Sequence, residues 1–278
     1  MSKVFCIGNG ESRKDFDLQS LRPHGKIYGC NALYRDFTPD VLTAVDHGIM
    51  HEIYNSGYCY KNETWLRDWT RLPAEAYDGL VYGHIDEATK IELNKWDIKK
   101  ENKRTTETEF VMHGSNLSGV ATILKQNKEK FLKQINQSNI CISWTRDDDK
   151  AHSLTEIMPN GRDWGWACGA TSGYVALTKE KPTELYMIGH DLNSTTGKIN
   201  NVYKGSLHYG LPEAGPIPSS NWITQWKSLF EQNPKVTFYK VNQHNKGTDR
   251  VNTRVHEWNN IKNIKYINYD DLKSALTK

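Results

Sequence analysis

The sequence predicts an α/β fold: a Rossmann-like, mostly parallel sheet with helices on both faces and a lid-like loop region. Three observations carry this. Short apolar runs that read as strands alternate with runs that read as helices, the pattern of a largely parallel sheet. Successive apolar runs finish in Asn or Asp, at Asn31, Asp46 and Asp191, which gathers polar groups at the carboxyl edge where open α/β sheets bind ligands. The first run leads straight into Gly8-Asn9-Gly10-Glu11-Ser12, two glycines around an asparagine, a tight turn with exposed backbone N–H groups.

Taken in order, Lys3 to Ile7 reads as a buried strand, Lys26 to Cys30 as a second and Val41 to Val45 as a third. Phe37-Thr38-Pro39-Asp40 reads as a turn between the last two. Ile49 to Tyr54 reads as helix. Trp65 and Trp69, four residues apart, share a face if Glu63 to Thr70 is helical. Val81 to His84, Phe110 to His113 and Ile140 to Trp144 read as strands. Lys99 to Glu109 reads as a charged, solvated loop. Gly114 to Gly119 opens a helix near Val120 to Leu132, with Lys125, Lys128, Lys130 and Lys133 as a solubilising face. Asp147 to Asp149 reads as a surface turn. Cys168 to Gly173 reads as a small-residue turn, Tyr174 to Lys179 as a short helix and Leu185 to Gly189 as a strand. A helix carrying Trp222 and Trp226 follows. Val236 to Val241 and Ile264 to Tyr269 are the last strands, and Asp270 to Leu276 is a closing helix. No repeat or linker divides the chain, so residues 1–278 are expected to form a single domain with a lid at 194–220.

A chain of 278 residues can bury a large core. Its 36 basic and 33 acidic residues leave a charge of +3, which permits a nucleic-acid partner without requiring one. Nine Trp and fourteen Tyr suit core positions and are also able to stack on sugars or bases, with Trp164, Trp166, Trp222 and Trp226 as candidates. The five cysteines lack C-x-x-C spacing and read as reduced, buried thiols of a cytoplasmic protein. No Cys/His metal spacing appears. The N-terminal run reads as a strand rather than a signal peptide, and no stretch has the length of a transmembrane helix.

The stretch from Cys168 to Tyr209 says most about chemistry. Small residues before a helix let a ligand approach the backbone, and the first helical turn favours an anion such as phosphate. The strand that follows ends in His190-Asp191, and a polar loop then leads to Tyr203 and His208. Titratable groups are thereby placed at the ligand-binding edge of the sheet.

These motifs resemble the bacterial sialyltransferases of glycosyltransferase family 42, within a wider set of relatives that includes pterin diphosphokinase-like proteins. The resemblance rests on Gly8-Asn9-Gly10-Glu11-Ser12, on Cys30-Asn31-Ala32-Leu33-Tyr34, and on Thr171-Ser172-Gly173 with the strand Leu185 to Asp191. It covers residue 3 to about residue 209. It implies a single nucleotide-binding domain with a lid and no metal. By resemblance, Gly8, Asn9, Gly10, Ser12, Asn31, Asp46, Thr171, Ser172 and Gly173 surround the donor. Tyr203 is the candidate phosphate tyrosine and His208 the candidate base. The chain departs from the family pattern at Glu11, Asp46 and Asn193.

The expected reaction is metal-independent, inverting transfer of a sugar from a nucleotide sugar (CMP-sialic acid-like or a UDP-sugar) to an acceptor hydroxyl. The nucleotide sugar is a co-substrate, and no cofactor is expected. A histidine suits the proton transfer, His208 or its rival His190 beside Asp191. The acceptor is a glycan or, as in phage DNA modification, a hydroxymethylated base reached by flipping along a basic track. An alternative is Mg-dependent diphosphokinase-type transfer with Asp46, Asp191 or Asp147 to Asp149 as ligands. A third is a binding module without turnover. The oligomeric state is left open.

Overall fold

The computed structural model describes residues 2–67, 69–72, 110–113, 141–144, 148–158, 166–194, 196–242 and 254–277. In chain order the strands are β1 (Lys3–Ile7), β2 (Lys26–Cys30), β3 (Val41–Ala44), β4 (Thr64–Leu66), β5 (Thr70–Leu72), β6 (Phe110–His113), β7 (Cys141–Trp144), β8 (Ala151–Ser153), β9 (Glu184–Ile188), β10 (Thr237–Asn242) and β11 (Ile264–Asn268). The α-helices are α1 (His47–Asn55), α2 (Cys168–Glu180), α3 (Ser220–Gln232) and α4 (Tyr269–Leu276). Contacts group the chain into two compact units, Met1–Val45 with Trp164–Lys278, and Asp46–Asp163. The expected strand at Val81 to His84, the loop at Lys99 to Glu109 and the helix at Val120 to Leu132 lie outside the described residues.

The first unit is the α/β fold that the alternation predicts. Its strands run in the order β11-β10-β9-β1-β2-β3 and are parallel at every junction. β1 lies between β9 and β2, with Ile7 level with Ile188 on one side and Gly29 on the other. Their carboxyl ends therefore reach one edge together. Phe5, Cys6, Ile7, Met187 and Ile188 are fully buried, which is why these strands read as continuous apolar runs rather than as alternating ones.

Helices cover the sheet because alternate side chains need apolar partners on both sides. On β10, Phe238 meets Phe230 of α3 with ring centroids 4.7 Å apart. Its neighbour Tyr239 points the other way and stacks on Tyr186 at 4.6 Å. The α2 helix packs on α3 at Gly173, where an added Cβ would sit 2.5 Å from Cη2 of Trp226. Trp226 is 1% exposed, so this residue is core rather than a sugar platform. At the closing helix, Asn268 and Asp271 form a reciprocal cap, and Phe16 stacks on Tyr269 at 4.7 Å.

In the second unit, α1 forms where Ile49 to Tyr54 reads as helix. β4 pairs in parallel with β8, and β5, β6 and β7 form an antiparallel sheet. The helix considered for Glu63 to Thr70 is replaced by strand at Thr64–Leu66. Pairing of a Thr-Trp-Leu run with β8 wins over the four-residue spacing of the tryptophans. Trp65 stacks on His152 at 4.7 Å, whereas Trp69 lies 5.4 Å from Tyr54.

The α2–α3 contact makes a stability prediction. Gly173→Val should lower the urea midpoint by the equivalent of about 1–3 kcal/mol, because Trp226 has no room to retreat. An unchanged midpoint would contradict the contact.

Candidate functional site

The turn after β1 is built by close approach to the end of β9. Gly8 N–H donates to Ile188 O at 2.7 Å and Gly10 N–H to Gly189 O at 2.8 Å. A Cβ on Gly10 would lie 2.4 Å from the Asp191 carboxyl, so glycine is required there. Glu11 N–H donates to Asn200 Oδ1 at 2.8 Å, and Ser12 N–H to Asp191 Oδ2 at 3.0 Å. The Ser12 hydroxyl donates to the other Asp191 oxygen. The expectation that this turn offers free amides to a phosphate is therefore corrected. The parallel neighbour brings the carbonyls and the carboxylate that take the Gly8, Gly10 and Ser12 amides, and Asn200 takes that of Glu11. Glu11 does not load the turn with charge either, since its carboxylate turns outward to Lys204 Nζ at 2.7 Å.

Asn9 ties this turn to the second strand, donating from Nδ2 to Cys30 O at 3.1 Å. Arg13, only 5% exposed, donates from Nε to Gly8 O at 2.8 Å and from Nη2 to the Tyr203 hydroxyl at 3.0 Å. Val202 N–H donates to Asn9 O at 2.9 Å. The stretch 194–220 has no helix or strand before Ser220 among its described residues, and these bonds fasten it over the edge. Arg35 continues the fastening, donating to Ser206 Oγ at 2.8 Å and to Leu207 O at 3.1 Å. Ala32 N–H donates to the Tyr209 hydroxyl at 3.2 Å. The Tyr203 hydroxyl donates in turn to Asp36. Burial raises the Tyr203 pKa, Asp36 adds to the rise, and the Arg13 charge opposes it.

Most residues singled out in the sequence meet at this edge. Gly8, Asn9, Gly10, Ser12, Asn31, His190 and Asp191 lie at the carboxyl ends of β1, β2 and β9, and Tyr203 reaches them from the loop. Unusual backbone collects in the same places: φ is +50° at Asn31, +69° at Gly189, +59° at Leu192 and +67° at His208. Residues held in the left-handed region cost free energy and cluster at functional sites.

Other expectations change. Thr171, Ser172 and Gly173 are not a turn before a helix; α2 starts at Cys168, and they form its second turn. Thr171 and Ser172 are fully buried, with hydroxyls that donate to Ala167 O at 3.0 Å and Gly29 O at 3.4 Å. The first turn of the helix, where Ala167 provides no side-chain cap, is itself buried at Cys168 and Ala170. Asp46 belongs to the second unit and precedes α1. Trp164 and Asp147 lie outside the described residues, as do the lysine-rich stretches proposed as a DNA track.

His190 and His208 differ sharply. His208 is exposed on the loop. His190 is buried, its ring edge-on to Trp226 at 5.0 Å, and its Nε2 has no hydrogen-bond partner among the described residues. Burial, reinforced by the nearby Lys240 charge, pushes its pKa down to about 3, against a smaller opposing effect of a hydrogen bond at the Cys6 backbone.

Sequence reading missed Arg13, Arg35, Asp36 and Lys240. Arg13 sits in a polar run that reads as solvated, so nothing local marks it. Lys240 did carry a signal, a single charge inside the apolar strand Val236 to Val241. Among the described residues, no group of three or more His, Cys, Asp or Glu is placed to hold a metal ion, and no helix is long and apolar enough to cross a membrane. No protein-family model, curated protein or solved structure matches the chain.

The His190 environment predicts a pH dependence. Its folded pKa of about 3 lies below the ordinary 6.5. Between those values the unfolded chain binds a proton that the folded chain refuses. The His190 contribution to stability is therefore full above pH 6.5 and is lost as pH falls toward 3. His190→Gln should show a smaller fall in urea midpoint than the parent between about pH 7 and about pH 4.5. Equal falls in both proteins would refute the assignment.

Proposed function

We propose that the chain is a metal-independent, inverting glycosyltransferase that moves a sugar from a nucleotide sugar to an acceptor hydroxyl. The observation that carries this reading is the convergence, at one edge of a parallel sheet, of the Asn9 turn, the Asn31 strand end and the Tyr203–Tyr209 loop. Asn9 joins its own turn to the other two, through Cys30 O and the Val202 N–H. Open α/β sheets commonly bind nucleotides at this carboxyl edge, which supports the reading. The two guanidinium groups flanking the Tyr203 ring, Arg13 at 5.6 Å and Arg35 at 5.9 Å, give this edge a positive field that suits an anionic donor.

In the reaction, the acceptor oxygen forms a bond to the anomeric carbon while the bond from that carbon to the donor phosphate oxygen breaks. The hydroxyl proton passes to a base, and the nucleotide leaves with the negative charge. His208 fits the base role better than His190. It is exposed on a loop that overlies the edge, whereas His190 is buried and too weakly basic. Tyr203 takes a different part from the one the resemblance implies. Its hydroxyl lies between Arg13 and Asp36, so it orients the guanidinium and fastens the loop.

A thermal-shift panel with CMP, UDP, GDP and ATP, each with and without Mg²⁺, tests the reading. A ligand at about 100 times its Kd should add roughly 2.7 kcal/mol of stability. The expected result is a shift with CMP or UDP that ignores Mg²⁺ and shrinks in Tyr203→Phe. A shift confined to ATP with Mg²⁺ would replace this reading with phosphotransfer, and no shift with any nucleotide would end it.

A further inference from the structure

Two buried polar groups on the α2–α3 face of the sheet lack the partners that burial normally demands. Lys240 is 1% exposed, and its ammonium has three N–H donors. The acceptor it has among the described residues is Asn242 Oδ1 at 2.6 Å. His190 Nε2 is buried and has no hydrogen-bond partner among the described residues. Buried polar groups are hydrogen-bonded as a rule, and an unmet one points to an absent ligand or water.

Register and packing put both groups in one place. Val241 is level with Ile188, so Asn242 stands beside Gly189 and next to His190. Lys240 and Asn242 share the face of Phe238, which α3 covers through Phe230. The His190 ring lies on the same helix, against Trp226. It also lies against the first turn of α2: a Cβ on Gly169 would come 2.8 Å from His190 Cε1. The first-turn amides of a helix have no acceptor within the helix, and Ala167 offers them no side-chain cap, although its own N–H donates to Gln225 Oε1 at 2.8 Å. The first turn of α2 is thus in contact with the His190 ring, and the Lys240 ammonium is near enough for its charge to act on His190.

We propose that Lys240, His190, Asn242 and the first turn of α2 form a pocket for the phosphate and an adjoining hydroxyl of a nucleotide. Lys240 and the α2 amides donate to phosphate oxygens, as helix N-termini do. Nε2 of His190 accepts from a ribose or sugar hydroxyl. The pocket takes over from the glycine turn, where the Gly8, Gly10, Glu11 and Ser12 amides are already used. The charged or titratable neighbours are Asp191 and His190. Burial lowers the Lys240 pKa to about 8, with Asp191 partly opposing the shift. The proposal rests on the nucleotide-dependent reading above and names where its phosphate is held.

The test is calorimetric binding of CMP and UMP against cytidine and uridine. The wild-type chain should prefer nucleotide over nucleoside by about 10- to 100-fold, Lys240→Met should lose that preference and Lys240→Arg should keep much of it. In the wild type alone, the preference should fall as pH rises from about 7 to about 9.5, because Lys240 then sheds its charge. A preference that survives in Lys240→Met, or that ignores pH, would overturn the pocket. Equal binding of nucleotide and nucleoside by the wild type would also overturn it while leaving a nucleotide site in place. Absence of all binding would remove the underlying reading and the pocket with it.

Discussion

The Asp191 carboxylate is the interaction on which the rest of this edge depends. It accepts from both the amide and the hydroxyl of Ser12, and it does so across the junction of the two central strands. Hydrogen bonds to an ionised acceptor are among the stronger ones available to a chain. This pair sets the course of the turn after β1, and the turn sets Arg13. Arg13 then reaches the Tyr203 hydroxyl, and Tyr203 reaches Asp36. One carboxylate at the end of β9 thereby governs where a loop some distance along the chain comes to rest. It also occupies the place that an external anion would take in the glycine turn. The sequence pattern of a phosphate-binding turn is present, but its chemistry is internal.

How much of this was legible follows from the range of the forces involved. Strands β1, β2, β3 and β9 were readable because burial on both faces leaves continuous apolar runs, and the polar endings at Asn31 and Asp191 mark the edge correctly. The start of α2 was not readable. Cys168 to Gly173 is poor in strong helix formers, so it resembles a turn; packing on the sheet and on Trp226 overrides that local preference. The spacing of Trp65 and Trp69 fitted a helix and a strand alike, and pairing with β8 decided it. The second compact unit has no linker of telling composition on either side, so composition could not mark it.

Buried charge was the least legible feature. Arg13 is buried because Gly8, Asn9 and Tyr203 supply acceptors, and Tyr203 is 190 residues away in sequence. No local window contains that information. Lys240 could be flagged by its apolar strand, but not the unfilled valences around it. Buried cations are costly unless paired. In this unit Arg13 is well supplied with oxygens and Lys240 is not. That contrast separates a cation that holds structure from one that awaits a ligand.

The bond between Ser12 and Asp191 also has a bearing on how the protein acquires its shape. The two residues are 179 apart in sequence. β1 leaves the ribosome early, but one of its two neighbours is made only after a whole second unit has been synthesised. Until then β1 has an open flank and an unsatisfied row of amides, the kind of edge that recruits wrong partners. Closing so long a stretch of chain carries an entropic cost that must be met before the native contacts form, and topologies rich in such contacts assemble slowly. Asp46–Asp163 is therefore well placed to act as a spacer in time as well as in sequence, and the central strand of the sheet is among the last elements to be completed.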